Sequence, residues 1–374
     1  MAEIAIRSAK QVVFGTGVRS ALGEHAAGFG DSALIVCGRS ALRESGALAE
    51  LQAVLTDAGV RVSVFDQVEA EPSLATVDRG REAFREAGCD VVVAAGGGSA
   101  LDVGKAIAGL AASSDPTAHG QEVAGLGKPC ITLPTTSGTG AEVTPNSVLT
   151  DSESGKKASI RGHGLLPEVA LVDPELTVSC PPDQTAYSGL DALTQAIEAF
   201  VSTGANPVSA PMAEEAARRI AGSLRQAVAD GSNLQAREDM ALGSLLAGLA
   251  LASARLGLVH GLAHPLGAQF HLPHGLVCGA LLPWVIDFNF EEAAPQYAYL
   301  ARALGVGKSA ESLLDWVDGL VSDLDAEIDW VEAGLTRGDF DDIIPPTLGS
   351  GSSAHNPRRV DEDNLRRLLE RMIA

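Results

Sequence analysis

The sequence predicts an α/β domain in residues 1–182 followed by an all-α domain in residues 183–374. Between residues 33 and 175, short apolar runs alternate with segments of helical periodicity, a pattern typical of an open and largely parallel sheet. After Pro181 and Pro182 the strand-like runs stop, and the remaining segments are rich in Ala and Leu with helical spacing. A length of 374 residues leaves room for two domains.

The predicted strands of the first domain are runs of apolar residues without polar alternation. Such runs are typical of strands that are buried on both faces of a sheet. The segments between them carry the spacing of amphipathic helices. The predicted strands are 33–37, 61–65, 90–95 and 129–133, and the predicted helices are 41–59, 74–88 and 100–110.

The second domain is predicted to contain helices only, at 183–202, 207–230, 236–258, 309–324 and 361–373. Its most apolar stretch, 240–258, is long enough to raise the question of a membrane span. The stretch is rich in Ala and Gly, contains Arg255 and runs directly into His260, so a buried core helix is the favoured interpretation.

Charge and cysteine content limit the class of protein. Lys and Arg number 27 against 48 Asp and Glu, and the formal net charge is −21. This balance argues against binding to nucleic acid or to an anionic membrane surface. The five cysteines are widely spaced and form no CxxC motif, which favours a reducing cytoplasm over a disulfide framework.

Two loops after predicted strands have the composition of a phosphate-binding surface. Gly96–Ser99 opens a helix, so its backbone can approach a phosphate at a helix N-terminus. Thr135–Thr139 gathers hydroxyl groups after another strand, and Asp102 lies in the first helical turn, where a carboxylate also acts as a cap. Lys156 and Lys157 are candidates for the counter-charge, with Lys105 nearby; a solvated turn is the alternative for the lysine pair.

The end of the first long strand bears on the choice of dinucleotide. An acidic residue at this position would bind the ribose hydroxyls of NAD and repel the 2′-phosphate of NADP. This chain has Gly38, Arg39 and Ser40 instead, and a guanidinium can pair with a phosphate. The segment therefore favours NADP, with a plain surface role for Arg39 as the alternative.

A cluster of histidines is the sharpest local signal. Four of the eight histidines fall within residues 260–274, and His260 and His264 share a helical face if the preceding helix continues. Asp191 and Gln195 are also four residues apart on a predicted helix. A carboxylate and imidazoles from different helices would suit a divalent metal. Glu198, in contrast, is expected to be a partner in a pair on the helix surface.

The motifs GGGSALDVGKAIA, LPTTSGTGAEVTPNS, PEVALVDPELT, GLDALTQAIEAF and VHGLAHPLGAQFHLPHG together resemble the iron-containing (group III) alcohol dehydrogenase family, to which maleylacetate reductases are close relatives. The similarity runs from about Val13 to Asp287, with a weaker match near His355. It implies the dehydroquinate synthase-like fold, with a cleft between a dinucleotide-binding domain and a helical domain. It also implies hydride transfer between NAD(P) and an alcohol/carbonyl pair, and a dimer or larger assembly.

The resemblance carries over to individual residues. The metal ligands fall on Asp191, Gln195, His260 and His274, and His264 matches a histidine near the nicotinamide and is the candidate for a proton relay. The cofactor motifs fall on Gly97, Gly98, Ser99, Asp102, Thr135, Thr136, Thr139 and Lys157.

Two positions depart from the family pattern. Gln195 stands where the family has histidine, and a neutral amide oxygen should weaken binding of iron or zinc. Gly38 stands at a position where NAD-using members of the family that this chain resembles have Asp. This departure agrees with the preference for NADP argued above.

The favoured function is therefore an NADPH-dependent reductase of an aldehyde or ketone, with iron or zinc as Lewis acid. A metal-independent oxoacid reductase like the maleylacetate reductases stays open because of Gln195. A nucleotide-binding protein with impaired catalysis and a lyase of the dehydroquinate synthase type are further alternatives.

Overall fold

The computed structural model describes residues 4–111, 123, 127–151 and 157–374, and for Lys157 and Ala158 it describes the backbone only. These residues form two compact units. One contains Ile6–Cys180 together with Gly231–Ala241, and the other contains Pro181–Asp230 together with Leu242–Ala374. The first unit is α/β and the second is helical, as the sequence predicts, although the α/β unit also includes a short segment from the later half of the chain.

The described residues of the α/β unit form the strands β1 Gln11–Phe14, β2 Ser32–Gly38, β3 Arg61–Val68, β4 Val91–Gly96, β5 Cys130–Pro134, β6 Asn146–Thr150, β7 Lys157–Arg161 and β8 Val169–Val172. Six of them form a parallel sheet at the centre of the unit, in the order β1-β8-β5-β4-β2-β3. Strands β6 and β7 form an antiparallel ladder that the sequence analysis does not predict.

Strand β2 shows why the central runs are apolar at every position. Leu34 and Val36 pack into one hydrophobic cluster, while Ala33, Ile35 and Cys37 pack into another. Alternate side chains point to opposite faces of a strand, so both faces of the sheet are covered. This burial confirms the interpretation of the unbroken apolar runs as central strands.

The helices of the α/β unit are α1 Leu22–Ala27, α2 Ala41–Glu44, α3 Ala47–Asp57, α4 Leu74–Glu86 and α5 Gly98–Gly109. The prediction of one continuous helix over 41–59 is wrong, because the helix is interrupted between α2 and α3. Gly46 has φ of 82° there, a left-handed conformation that ends a helical hydrogen-bond pattern and that glycine adopts without strain.

The strand order reverses between β2 and β4. From β2 the chain moves outward to β3, whereas β4 and β5 follow on the other side of β2. Ligands of open α/β sheets bind at the carboxyl ends of the strands at such a reversal. Helix α5 packs very closely behind β4, since a Cβ on Gly104 would lie 2.3 Å from Cβ of Ala94.

The remaining helices are α6 Pro182–Val201, α7 Ser209–Ala229, α8 Leu234–Ala254, α9 Leu258–Phe270, α10 His274–Phe288, α11 Phe290–Ala303, α12 Ala310–Asp323, α13 Phe340–Leu348 and α14 Glu362–Met372. The predicted helix over 236–258 ends early, because Arg255 has φ of 69° and the next helix begins at Leu258. Within the described residues no single helix has the length and apolar character to cross a membrane; α8 and α9 meet those criteria only as a pair bent by 106°.

Candidate cofactor and metal sites

The two predicted phosphate loops lie side by side at the carboxyl end of the sheet. Gly96 and Pro134 are paired positions of β4 and β5, and the Thr135 amide donates to the Gly96 carbonyl at 3.0 Å. Because both strands end there, Gly96–Ser99 and Thr135–Thr139, here called the cofactor loops, form one surface. It contains the predicted residues Gly97, Gly98, Ser99, Thr135, Thr136 and Thr139.

Glycine is required in the first of these loops because threonines of the second approach its backbone. A Cβ on Gly98 would lie 2.6 Å from Cγ2 of Thr139, and one on Gly97 would lie 3.4 Å from two side-chain atoms of Thr136. The residue at Gly98 begins α5, so amide groups of a helix N-terminus face the same surface. The arrangement suits a pyrophosphate.

The predicted 2′-phosphate segment lies at the end of β2, next to the end of β4. Gly38 is half-buried, and Arg39 and Ser40 are exposed. A Cβ on Gly38 would find its nearest neighbour, the Val68 carbonyl oxygen, at 3.8 Å. The position therefore has room for a side chain, and its glycine is not required by packing.

Asp102 and Lys105 face each other inside the α/β unit. Lys105 is fully buried, with Nζ 3.0 Å from Oδ1 of Asp102. It donates to the carbonyls of Ala141, Thr144 and Asn146, while Oδ2 of Asp102 accepts from the Val148 amide at 2.9 Å. The side chain of Lys105, which is near the phosphate loops in the sequence, is surrounded by the chain's own carbonyls and carboxylate. The carboxylate of Asp102 anchors β6. Lys156 and the side chain of Lys157 lie outside the described residues.

Four potential metal-binding side chains converge in the helical unit. They come from α6, α9 and α10, and their ligand atoms all lie within 4.8 Å of one another. We call them the donor cluster: Asp191, His260, His274 and Cys278.

The distances within the donor cluster match coordination of one small cation. Oδ1 of Asp191 lies 3.2 Å from Nε2 of His260 and 4.0 Å from Nε2 of His274. Sγ of Cys278 lies 3.5 Å from Nε2 of His274 and 4.0 Å from Nε2 of His260. Ligands of a tetrahedral zinc ion are about 3.3–3.6 Å apart, so the cluster fits a divalent metal with small adjustments.

Gln195 lies one helical turn from Asp191 and is 4% exposed. It is hydrogen-bonded to the Asp191 carboxylate, and its Oε1 has no hydrogen-bond partner in the described part of the chain. A buried acceptor without a donor is costly, and a cation would relieve that cost. Three of the predicted metal residues are thus in the donor cluster and the fourth is hydrogen-bonded to it.

Glu198 is a buried partner of His260, contrary to the expectation of a surface pair. Its Oε2 lies 2.6 Å from Nδ1 of His260, and its Oε1 accepts from the Val259 amide at 2.7 Å. A carboxylate on one ring nitrogen leaves the other free to bind a metal and fixes the ring plane. The spacing Asp191–Gln195–Glu198, which puts all three on one helical face, is the sequence signal that could have identified it.

Burial and charge act in opposite directions on the ionisation of the donor cluster. Burial raises the pKa of Asp191, but the hydrogen bond to His260 and the charge of His274 outweigh it and hold that pKa below its usual value. Burial lowers the pKa of His260, yet the negative charges of Cys278 and Glu198 raise it well above normal. Burial likewise raises the pKa of the Cys278 thiol, and the imidazoles of His274 and His260 lower it. Asp191 and Cys278 are thus stabilised as anions.

His264, the candidate proton relay, lies one turn after His260 on α9 and is half-buried. Its ring stacks on that of His274, with centroids 5.2 Å apart and an interplanar angle of 16°. The interruption between α8 and α9 does not separate His260 from His264, since both residues lie within α9. His264 therefore lies beside the donor cluster and outside the set of ligand atoms.

Two models of one protein family match this chain. The model of the iron-containing alcohol dehydrogenase family matches residues 9–174, and the C-terminal model of the same family matches residues 185–373. The chain belongs to the iron-containing alcohol dehydrogenase family. Like its relatives, this alcohol dehydrogenase is an NAD(P)-dependent oxidoreductase that interconverts small alcohols and carbonyl compounds, and its family uses a divalent metal.

Individual relatives cover nearly the whole alcohol dehydrogenase chain. A 1,3-propanediol dehydrogenase of Klebsiella pneumoniae is 37% identical over 367 residues, 94% of each chain. An NADPH-dependent butanol dehydrogenase of Clostridium saccharobutylicum is 34% identical over 91% of each chain. A crystal structure of a 1,3-propanediol oxidoreductase superposes with a TM-score of 0.95 at 36% identity, over 99% of this chain and 100% of the other.

Proposed function

We propose that this alcohol dehydrogenase works as an NADPH-dependent reductase of small aldehydes or ketones and holds a divalent metal, iron or zinc. The observation that carries the metal assignment is the convergence of Asp191 Oδ1 with the Nε2 atoms of His260 and His274, while Glu198 holds the far side of one ring. Gln195 would complete the set through its unpartnered Oε1. Asp191, Gln195, His260 and His274 are therefore the proposed metal residues.

The proposed cofactor site lies at the carboxyl end of the parallel sheet. The cofactor loops supply backbone amides, the α5 N-terminus and threonine hydroxyls for the pyrophosphate. Gly38, Arg39 and Ser40 would receive the 2′-phosphate, where an acidic residue would repel it. Asp102 contributes by anchoring β6, and Lys157 stays a prediction.

Bound cofactor supplies the hydride, and bound metal supplies Lewis-acid polarisation of the substrate carbonyl. The chain's own residues do the rest. Glu198 keeps His260 in the orientation and tautomer in which Nε2 is available. His264, beside the donor cluster, delivers a proton to the oxygen of the product alcohol directly or through one water.

The experiment that tests this proposal is a cofactor oxidation assay. Purified protein is mixed with NADPH or NADH and a panel of aldehydes and ketones, and loss of reduced nicotinamide absorbance is followed. We expect oxidation with at least one small carbonyl compound and a higher kcat/KM with NADPH. Absence of oxidation with every member, despite bound NADPH, would instead indicate a nucleotide-binding protein with impaired catalysis.

Gln195 gives a specific reason to test a second function, a metal-independent oxoacid reductase. Protein stripped of metal, with its metal content verified by elemental analysis, is assayed with the same panel plus oxoacids. Loss of activity that returns on adding iron or zinc supports the metal-dependent function. Full activity without metal would favour the alternative. A cytoplasmic location and a dimer or larger assembly remain predictions.

A further inference from the structure

Cys278 is the one member of the donor cluster that the sequence motifs do not assign. It lies on α10, one turn after His274, and it is fully buried. Helical spacing of four residues places the two side chains on the same face. Sγ of Cys278 faces the Nε2 atoms of both cluster histidines, at 3.5 Å and 4.0 Å.

The contact between Asp191 and His260 is compatible with a bridging cation. Nδ1 of His260 faces Glu198, so its Nε2 is the atom that faces Asp191. A proton on Nε2 makes this 3.2 Å contact a hydrogen bond; once that proton leaves, the imidazole lone pair and the carboxylate oxygen repel each other. A cation between them, bound also by the neighbouring sulfur, removes that repulsion.

Charge balance also favours the thiolate as a ligand. Among the groups that would contact the cation, Asp191, Gln195 and two neutral imidazoles carry one negative charge, and the Glu198 carboxylate reaches the cation only through the His260 ring. The Cys278 thiolate adds a second anionic donor in direct contact with the cation. Gln195 alone, a neutral amide, cannot do this.

We propose that Cys278 is a metal ligand of this enzyme, and that its sulfur compensates for the absence of a histidine at position 195. The inference rests on the proposed metal-dependent function and extends it. A set of one carboxylate, two imidazoles and one thiolate is softer than an oxygen and nitrogen set, so it favours zinc over iron(II). The amide oxygen of Gln195 then remains beside the metal as a weak fifth ligand or as a hydrogen-bond partner.

The first test is cobalt spectroscopy, which needs no catalysis. Metal-free full-length protein is titrated with Co²⁺, and the near-ultraviolet region is recorded for the sulfur-to-cobalt charge-transfer band that oxygen and nitrogen ligands do not give. We expect this band in the native protein at one cobalt per chain. It should be absent in Cys278→Ser and Cys278→Ala, and it should persist in Cys180→Ser, the matched control at a half-buried cysteine outside the cluster.

The second test measures zinc affinity and the protection of the Cys278 thiol by zinc. Because Cys278 is fully buried, alkylation is carried out in a urea concentration that exposes it in the metal-free protein. Zinc should then slow modification of the Cys278 peptide, as read by mass spectrometry. Cys278→Ala should weaken zinc binding at least tenfold in a chelator competition. The double variant Gln195→His/Cys278→Ala should regain zinc affinity without regaining the charge-transfer band, because an imidazole then replaces the sulfur.

The outcomes separate this inference from the proposed function. Native protein that binds one cobalt without a sulfur band, and leaves Cys278 open to alkylation, would overturn the thiolate ligand and leave the metal-dependent function standing. Protein that binds neither cobalt nor zinc would overturn both. Circular dichroism of each variant excludes loss of folding, and the band in the native protein decides the question even if a variant is unstable.

Discussion

At the scale of single residues, Glu198 orients a histidine of the proposed metal site. Its carboxylate holds both the His260 ring and the Val259 amide. Glu198→Gln keeps the side-chain volume but removes the charge, so we expect zinc or cobalt affinity to fall about 10- to 100-fold. A chelator competition measures this. Glu214→Gln, on α7, is the control and should not change affinity; equal affinity of both variants would reject the role of Glu198.

Gly38 allows a direct test of cofactor choice. Gly38→Asp should lower the ratio of kcat/KM for NADPH to that for NADH by about tenfold or more, since a carboxylate repels the 2′-phosphate and binds ribose hydroxyls. Gly38→Ala adds the same Cβ without charge and should keep the ratio near that of the native protein. If Gly38→Asp left the ratio unchanged, the assignment of this segment to the 2′-phosphate would be wrong.

Glu142 should make stability depend on pH. Burial raises its pKa to about 7, whereas the ordinary value is near 4.5. Between these values the unfolded chain is ionised and the folded chain is protonated, so stability is lost as pH rises through this window. Glu142→Gln should therefore gain stability relative to the native protein from pH 5 to pH 8, by up to ~3 kcal/mol. Urea unfolding at both pH values measures this, with the exposed Glu86→Gln as control. A pH-independent difference would show that Glu142 is not protonated in the fold.

Sequence patterns identified the chemically distinctive residues better than their partners. Asp191, His260 and His274 stood out because a carboxylate and clustered imidazoles are typical of metal sites. Cys278 did not, since a single cysteine in an apolar helix looks like a core residue. Lys105 is near the phosphate loops in the sequence, but only the fold reveals the carbonyls that enclose it. Long-range partners of this kind have no local signature.

At the scale of elements, the contact between the cofactor loops limits what residue 98 can be. Gly98→Ala would bring a Cβ to 2.6 Å from Cγ2 of Thr139, so one loop must shift. We expect KM for the cofactor to rise about tenfold, with a smaller effect on kcat. Cofactor titrations at saturating substrate measure both constants.

Two companion variants show whether that contact is the cause. Thr139→Ser removes the methyl group that a new Cβ would meet, so Gly98→Ala/Thr139→Ser should recover much of the lost affinity. Gly222→Ala, on an exposed face of α7 with nothing within 4 Å, should leave KM unchanged and stabilise the helix by up to ~1 kcal/mol. An equal loss of cofactor affinity in Gly98→Ala and in Gly98→Ala/Thr139→Ser would instead indicate backbone strain at residue 98.

Element types could be predicted from the sequence more reliably than element ends. Apolar runs and helical spacing identify β2, β4, α6 and α7 because burial sets their composition directly. The end of α8 depends on Arg255 in a left-handed conformation, which side-chain composition does not encode. The β6–β7 ladder is short and lies apart from the main sheet, so its pattern is weak.

At the scale of the whole molecule, two ligands should stabilise two separate regions. Zinc should slow amide hydrogen exchange in α6, α9 and α10, which carry the donor cluster, whereas NADPH should slow exchange after β2, β4 and β5. Mass spectrometry of the exchanged peptides, with each ligand alone, measures this. Cys278→Ala should lose the zinc effect and keep the NADPH effect. Slower exchange of the cofactor loops with zinc alone would contradict the prediction that each ligand stabilises its own region.

The close packing of Gly104 against Ala94 has a consequence for engineering. Because Gly104 has no side chain, α5 packs directly against β4, and this packing positions the amides at the start of the helix. Residues 38–40, the proposed 2′-phosphate segment, are outside this contact, so substitutions there should change cofactor preference without moving α5. A side chain at residue 104 would instead push α5 away from β4 and displace the amides of the proposed pyrophosphate site.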